Sequence, residues 1–367
     1  MTADSRDSTF GSGTFDPEDF RVGLQNVIDK FLDEQAARLA PLGGDATRLL
    51  AAARQAVSGG KRFRAAFCYW GFRSVSALTS DDEERALLRA CASLELLHAS
   101  ALVHDDYMDA SDTRRGKPAP HRAFEADHRA ADWTGDPRQY GAAAAILLGD
   151  LLLTWADELL RRSGFGWDRI GPAMEVFDIC RSEVVAGQFL DVSVQARGRA
   201  DVETAMTVLR YKSAKYSIER PLHVGASLAG GGEEVLASLT GFGLPLGEAF
   251  QLRDDQLGVF GDPAVTGKPA GDDLIEGKRT VLVALALDGL GAERADVLHR
   301  SLGKALSPDD VAELRTLIVD SGAEQQVEAV IDELSRLSLT ALETAELRDE
   351  AKDALRGLSS AATQRSH

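Results

Sequence analysis

From about residue 18 to residue 356, apolar side chains recur three and four positions apart and almost nowhere alternate in the manner of a half-buried strand. Ala and Leu dominate these stretches, and both favour helix. The reading is therefore an all-α chain, with helices over roughly 18–40, 46–58, 61–78, 82–110, 141–162, 170–196, 202–229, 233–259, 278–289, 293–303, 308–320 and 324–356, and no convincing strand. The polar run RAFEADHRAADWTGDPRQY (122–140) reads as a surface loop. No composition shift or long Pro/Gly linker separates two cores. One large helical domain over 18–358 is the simpler reading, between a disordered tail at 1–17 and a flexible end at 359–367.

Charge narrows the partners. With 58 acidic against 41 basic residues the formal charge is −17, which repels nucleic-acid phosphates and anionic lipid. The stretch GAAAAILLGDLLLTWADELL (141–160) is broken by Asp150 and Asp157, short of the ~18 uninterrupted apolar residues a bilayer span needs. No membrane span and no export signal are expected. Cys68, Cys91 and Cys180 are odd in number, widely spaced and without a CxxC pair, as suits free buried thiols in the cytoplasm and no zinc site.

The segment HDDYMD (104–109) places acid in an otherwise apolar helix. Asp105 and Asp109, four apart, share a face, and His98 lies two turns earlier on the same side. They stand near the helix C-terminus, where the backbone dipole disfavours negative charge. A lone DDxxD is more often a solvated acidic face, but FQLRDDQLG supplies a second cluster, Gln251, Asp254 and Asp255. Two facing walls of hard oxygen ligands suit Mg²⁺ bridging a diphosphate. Basic residues gather in GGKRFR (59–64), TRRGKP (113–118), YKSAKYS (211–217) and GKPAGDDLIEGKRT (267–280), enough recognition groups for two diphosphate substrates. The stretch GDPAVTGKP is not a P-loop, because five residues separate its glycines, Pro269 follows Lys268 and no strand precedes it.

From about Gly59 to Thr280 the chain resembles the trans-type isoprenyl diphosphate synthases. The resemblance rests on GGKRFR, ELLHASALVHDDYMD with its trailing RRGKP, AILLGD, GQFLD, YKSAKYS, FQLRDD and GKPAGDDLIEGKR, in that order. It implies an isoprenoid-synthase helical bundle around a central cavity, and head-to-tail condensation of isopentenyl diphosphate with allylic diphosphates. It further implies three Mg²⁺ ions, with Asp105 and Asp109 holding two, Asp106 in support, Asp254 holding the third and Asp255 close behind. Arg114, Lys212 and Lys268 match contacts to the allylic diphosphate, and Lys61, Arg64, His98 and Arg115 match contacts to isopentenyl diphosphate. Gln188, Asp191, Ser213, Tyr216 and Gln251 match polar positions at the reaction centre, and Lys278 counts with the substrate-binding groups. The proton is lost to the released diphosphate, so no Ser/His/Asp constellation is needed. A homodimer is expected.

One departure stands out: the second acidic motif ends DDQLG, with Gly258 in the last acidic place, and Asp262 is not assigned as its replacement. Ala101 lies one turn before Asp105, about 6 Å deeper in the path of the growing chain. Family members that stop at fifteen carbons carry Phe or Tyr there or at the neighbouring position. Here Ser100 and Ala101 are small, which implies a product of twenty carbons or more, with Trp155 or another bulky side chain closing the pocket. The alternatives are a farnesyl or longer-chain synthase, a class I terpene cyclase, or a silent subunit of a heteromeric synthase. A cyclase would carry an Asn/Ser/Glu metal motif in place of FQLRDD and would not need GGKRFR.

Overall fold

A computed structural model of the chain describes residues 16–199, 201–261 and 271–363. Asp16 caps the first helix, α1 (Pro17–Leu39), accepting the Glu18 N–H at 2.7 Å, so residues 16 and 17 belong to the fold and not to the tail. After α2 (Gly44–Ala56) the chain loops through Lys61 and Arg62 before α3 (Phe63–Val75). Helix α4 (Asp81–Met108) starts at Ser80, whose hydroxyl accepts the Glu83 N–H, and has four acidic residues in its first turn, where the dipole favours them. Its middle is buried nearly all round. Helices α1, α3, α5 (Pro120–Ala130), α6 (Pro137–Arg161) and α9 (Arg220–Leu228) pack against it.

Between α4 and α5 a two-residue ladder pairs Thr113 with Pro118 and Arg114 with Lys117, where the sequence shows no strand. The central turn residues Arg115 and Gly116 both have positive φ, 52° and 72°, as a type I′ hairpin turn requires. Helix α5 and the start of α6 likewise replace the loop expected over 122–140. The buried face of α5 has helical spacing but consists of His121, Phe124, Glu125 and His128, so a hydrophobic pattern misses it.

Helix α7 (Trp167–Arg197) leads to a segment expected as one helix, which instead divides into α8 (Val202–Leu209), a π-helix (Arg210–Glu219) and α9. Gly225 of α9 and Gly71 of α3 let these helices touch. A Cβ would meet the Cys68 carbonyl oxygen at 1.9 Å from Gly225 and that of Leu222 at 2.2 Å from Gly71. Helix α10 (Glu233–Phe260) joins two clusters of apolar side chains, burying Phe242 and Leu246 in one and Leu252 and Val259 in the other. The second cluster is completed by the C-terminal helices. These are short α11 (Asp272–Glu276), α12 (Val281–Gly289), α13 (Ala292–Ser301), α14 (Pro308–Asp320) and α15 (Ala323–Thr344). The helix expected over 324–356 breaks at Ala345, where the Arg348 N–H donates to the Ser74 carbonyl at 3.2 Å and turns α16 (Asp349–Thr363) onto α3. Residues 359–363 therefore continue a helix.

Among the described residues, the helix long and apolar enough to cross a membrane is α4, and 78% of its most apolar window is buried inside the bundle. The stretch over 141–160 does not meet that test.

Candidate active site

The C-terminal end of α4, the middle of α7, the π-helix and the second half of α10 surround a cavity of about 1110 Å³. Asp105 projects into it and faces two donors across the gap, Gln188 Nε2 at 2.9 Å and Lys212 Nζ at 3.1 Å. Lys212 in turn reaches Asp191 at 2.6 Å, and Gln195 Nε2 approaches the same Asp191 oxygen at 3.3 Å. Burial alone would raise the Asp105 carboxyl, but the charges of Lys212, Lys278 and Arg114 hold it well below the usual carboxylate range. Burial pulls the Lys212 ammonium down while Asp105 and Asp191 more than reverse this, so the charged pair is kept.

Asp109 caps α4 and faces Lys278 Nζ at 3.2 Å. Burial and the neighbouring Asp105 outweigh Lys278 and raise its carboxyl to about 6. Lys278 also pairs with Glu276 at 2.7 Å, a partner that spacing alone could not nominate. Asp106 points elsewhere: its side chain is buried, and Arg114 Nε donates to Oδ1 at 2.7 Å with Nη2 on the same oxygen. The hairpin folds Arg114 back onto α4 in this way, while Arg115 on the next position donates to the Ser58 carbonyl at 2.9 Å. The turn sends adjacent arginines in two directions.

A second set of basic groups surrounds the loop before α3. Arg64 lies over the Tyr216 ring at 4.2 Å and donates to Ser217 at 2.7 Å. The Tyr216 hydroxyl stands 3.1 Å from His98 Nδ1. Burial, followed by Arg64, Arg115 and Arg114, pushes the His98 imidazole well below its ordinary value, so it is neutral. Lys61 lines the same part of the cavity. Arg62, between Lys61 and Arg64, turns inward at φ 58° and binds buried Glu95 at 3.0 Å, Gln25 at 2.6 Å and the Val57 carbonyl at 2.6 Å. It holds the loop and was not singled out from sequence.

On α10, Gln251 donates to Asp255 at 2.8 Å, and Asp254 is exposed toward the cavity. Burial, with Asp273 next, pushes the Asp255 carboxyl well up. Ser213 lines the wall, and Lys268 and Asp262 lie outside the described residues. Asp273 of α11 also lines the cavity and was not singled out, although its motif was. Below Asp105 the wall turns apolar, with Ala101, Leu97, Leu153, Val184, Val185 and Phe189. Ser100 lines the cavity beside Ala101, and its hydroxyl donates to the Gly149 carbonyl of α6 at 2.7 Å. Trp155 is absent from the cavity wall and packs edge-on against Phe31 at 6.2 Å.

A helical bundle around a cavity that is charged at the mouth and apolar in depth suits an enzyme that handles a diphosphate joined to a hydrocarbon chain. Residues 46–318 match the polyprenyl synthetase family. A crystal structure of geranylgeranyl pyrophosphate synthase from Corynebacterium glutamicum, complexed with isoprenyl diphosphate and magnesium, superimposes with a TM-score of 0.93 at 42% identity, covering 96% of this chain and all of that one. A geranylfarnesyl diphosphate synthase of Aeropyrum pernix is 34% identical over 301 residues, 79% of this chain and 87% of its own. A geranylgeranyl diphosphate synthase of Methanosarcina mazei is 31% identical over 286 residues, 73% of this chain and 79% of its own. The chain belongs to the polyprenyl synthetase family and is a prenyltransferase.

Proposed function

We propose that the enzyme extends allylic diphosphates with isopentenyl diphosphate and releases the twenty-carbon product, geranylgeranyl diphosphate. The observation that carries this reading is the small side chain of Ala101 one turn below Asp105, with the apolar wall continuing to Leu97, eight residues or ~12 Å along the helix. Leu97, Leu153 and Val184 take the closing role first given to Trp155.

The donor set fits Mg²⁺. No group of three His, Cys, Asp or Glu side chains among the described residues closes a metal cage, and Mg²⁺ binds through one or two carboxylates with phosphate and water oxygens completing its shell. Asp105 and Asp109 would hold it on the α4 wall and Asp254 on the α10 wall. Charge developing on the departing diphosphate is what bound Mg²⁺ neutralises. Lys212, Lys278 and Arg114 grip the same diphosphate, and Asp191 and Asp106 fix the direction of two of those cations. Arg64, Arg115, Lys61 and neutral His98 receive isopentenyl diphosphate. The allylic carbon–oxygen bond breaks with its electron pair leaving on the diphosphate, the isopentenyl double bond attacks that carbon, and the adduct loses a proton to the released diphosphate. Leu97 and Val184, both buried in the cavity wall, keep water from the cation.

Ile146 and Leu147 on α6 and Ile179, Val185 and Phe189 on α7 are exposed large apolar side chains, which supports a homodimer joined through these helices. The buried free thiols of Cys68, Cys91 and Cys180 suit a cytoplasmic setting. Mass spectrometry of products formed from five-, ten- and fifteen-carbon allylic diphosphates with isopentenyl diphosphate and Mg²⁺ tests the reading. A discrete twenty-carbon diphosphate is expected; a fifteen-carbon stop overturns the pocket argument, and no condensation overturns the activity.

A further inference from the structure

The second lysine of YKSAKYS, Lys215, is absent from the cavity wall, yet it does not point at solvent either. Its side chain is 12% exposed, and its ammonium lies between two carboxylates, 3.2 Å from Glu183 Oε1 on α7 and 3.2 Å from Glu219 Oε2 at the end of the π-helix. Arg220 donates to both oxygens of Glu183, at 2.7 and 2.8 Å, and the two-pronged contact fixes the direction of that carboxylate. A buried ion pair adds little net stability over apolar side chains of the same volume, so the use of this one lies in what it fixes.

Glu183 is one of three residues, spaced four apart, that α7 turns toward the π-helix. Glu183 takes Lys215. Gly187 admits the backbone, since a Cβ there would lie 2.4 Å from Lys212 N and 2.6 Å from the Tyr211 carbonyl carbon. Asp191 takes the Lys212 ammonium at 2.6 Å. On the opposite side a Cβ on Gly247 of α10 would lie 2.6 Å from the Ala214 carbonyl oxygen. Two bare helix surfaces thus grip the backbone of a winding that is rare and mostly confined to single turns, here sustained over ten residues. We infer that Lys215 and Glu183 are positioning residues: their ion pair fixes the π-helix along α7, so that Lys212, at the next contacts of the same stripe, reaches Asp191 and Asp105 together, a reading that rests on the proposed grip of Lys212 on the allylic diphosphate.

A double-mutant cycle with Lys212, read by steady-state kinetics with a ten-carbon allylic diphosphate, isopentenyl diphosphate and Mg²⁺, tests this. Lys215→Met keeps the bulk of the side chain without its charge and is expected to lower kcat/KM for the allylic diphosphate about tenfold, as misplacement of a substrate-gripping group does. Lys212→Ala removes the ammonium that the ion pair aims. In that background Lys215→Met is expected to change kcat/KM by less than about twofold, because the group it positions is already gone. Should Lys215→Met fail to fold, Glu183→Gln, which keeps the shape of its side chain and weakens the same pair, replaces it in the cycle with the same expectations. An equal loss in both backgrounds marks a general effect on the fold and overturns the positioning role, as does wild-type kcat/KM in the single variant. Undiminished kcat/KM in Lys212→Ala overturns the contact on which that role rests, and no condensation by wild type overturns the proposed function and the positioning role with it.

Discussion

Neighbouring residues of one basic motif do different work. Arg62 is buried against Glu95, so Arg62→Ala strands a buried carboxylate and should cost about 3–5 kcal/mol, read as a lowered midpoint in urea unfolding. Arg115→Ala should leave that midpoint nearly unchanged and raise the KM for isopentenyl diphosphate. The two small residues of the product pocket differ in a related way. Ala101→Phe should shorten the product to fifteen carbons by mass spectrometry. Ser100→Phe should shorten it too, and because it also intrudes on the Gly149 carbonyl contact it should cost about 1–3 kcal/mol of stability. Spacing was enough to nominate Asp105, Asp109 and Asp254, whereas Lys212 and Gln188 came from the resemblance of their motifs to a known family. It could not show that Asp106 serves Arg114, because a hairpin of two-residue strands turns the guanidinium back. It also could not nominate Asp273, whose carboxylate lies against the bare backbone of Gly258 in another helix.

At the scale of elements, α4, α7 and α10 were legible because long apolar stretches with a period near 3.6 leave little alternative. Helix α5 was not, since His and Glu occupy its inward face, and the break at 345–348 was not, since a carbonyl on α3 sets it in place of Pro or Gly. The π-helix, too, leaves no mark in hydrophobic periodicity, although it presents Lys212, Ser213 and Tyr216 to the cavity. Just beyond it, α9 carries a polar chain that gives the element a pH limit. Arg220 Nη1 lies 3.2 Å from His223 Nδ1, and a guanidinium only donates, so Nδ1 accepts and Nε2–H faces Thr240 Oγ1 at 3.0 Å. The Thr240 hydroxyl then donates to Glu219 at 3.1 Å. Burial lowers the His223 imidazole to about 4, against the pull of Glu219 and with help from Arg220. The unfolded chain therefore binds the extra proton first: stability falls as pH drops below the ordinary histidine value near 6.5 and levels off below about 4, a loss of up to ~3 kcal/mol. Urea unfolding between pH 7 and 4.5 should show this slope, reduced in His223→Gln. Equal slopes would place the acid sensitivity elsewhere.

For the whole molecule, the apolar side chains left outward on α6 and α7 set the expected assembly. Light scattering should give twice the chain mass, and Leu147→Glu, a residue 62% exposed, should shift it toward the single chain. A single-chain mass in wild type would refute the dimer. The order in which the chain is made adds a demand on α4. This helix leaves the ribosome before α6 and α9, two of its covers, so its apolar surface stays open for several seconds at ordinary rates of synthesis. Within its apolar stretch stand Arg89 and, near the middle, Glu95. A charge near the centre of a lipid-spanning helix is costly. Glu95, which holds Arg62 in the finished fold, is thus also a charge that disfavours placing the nascent helix in lipid.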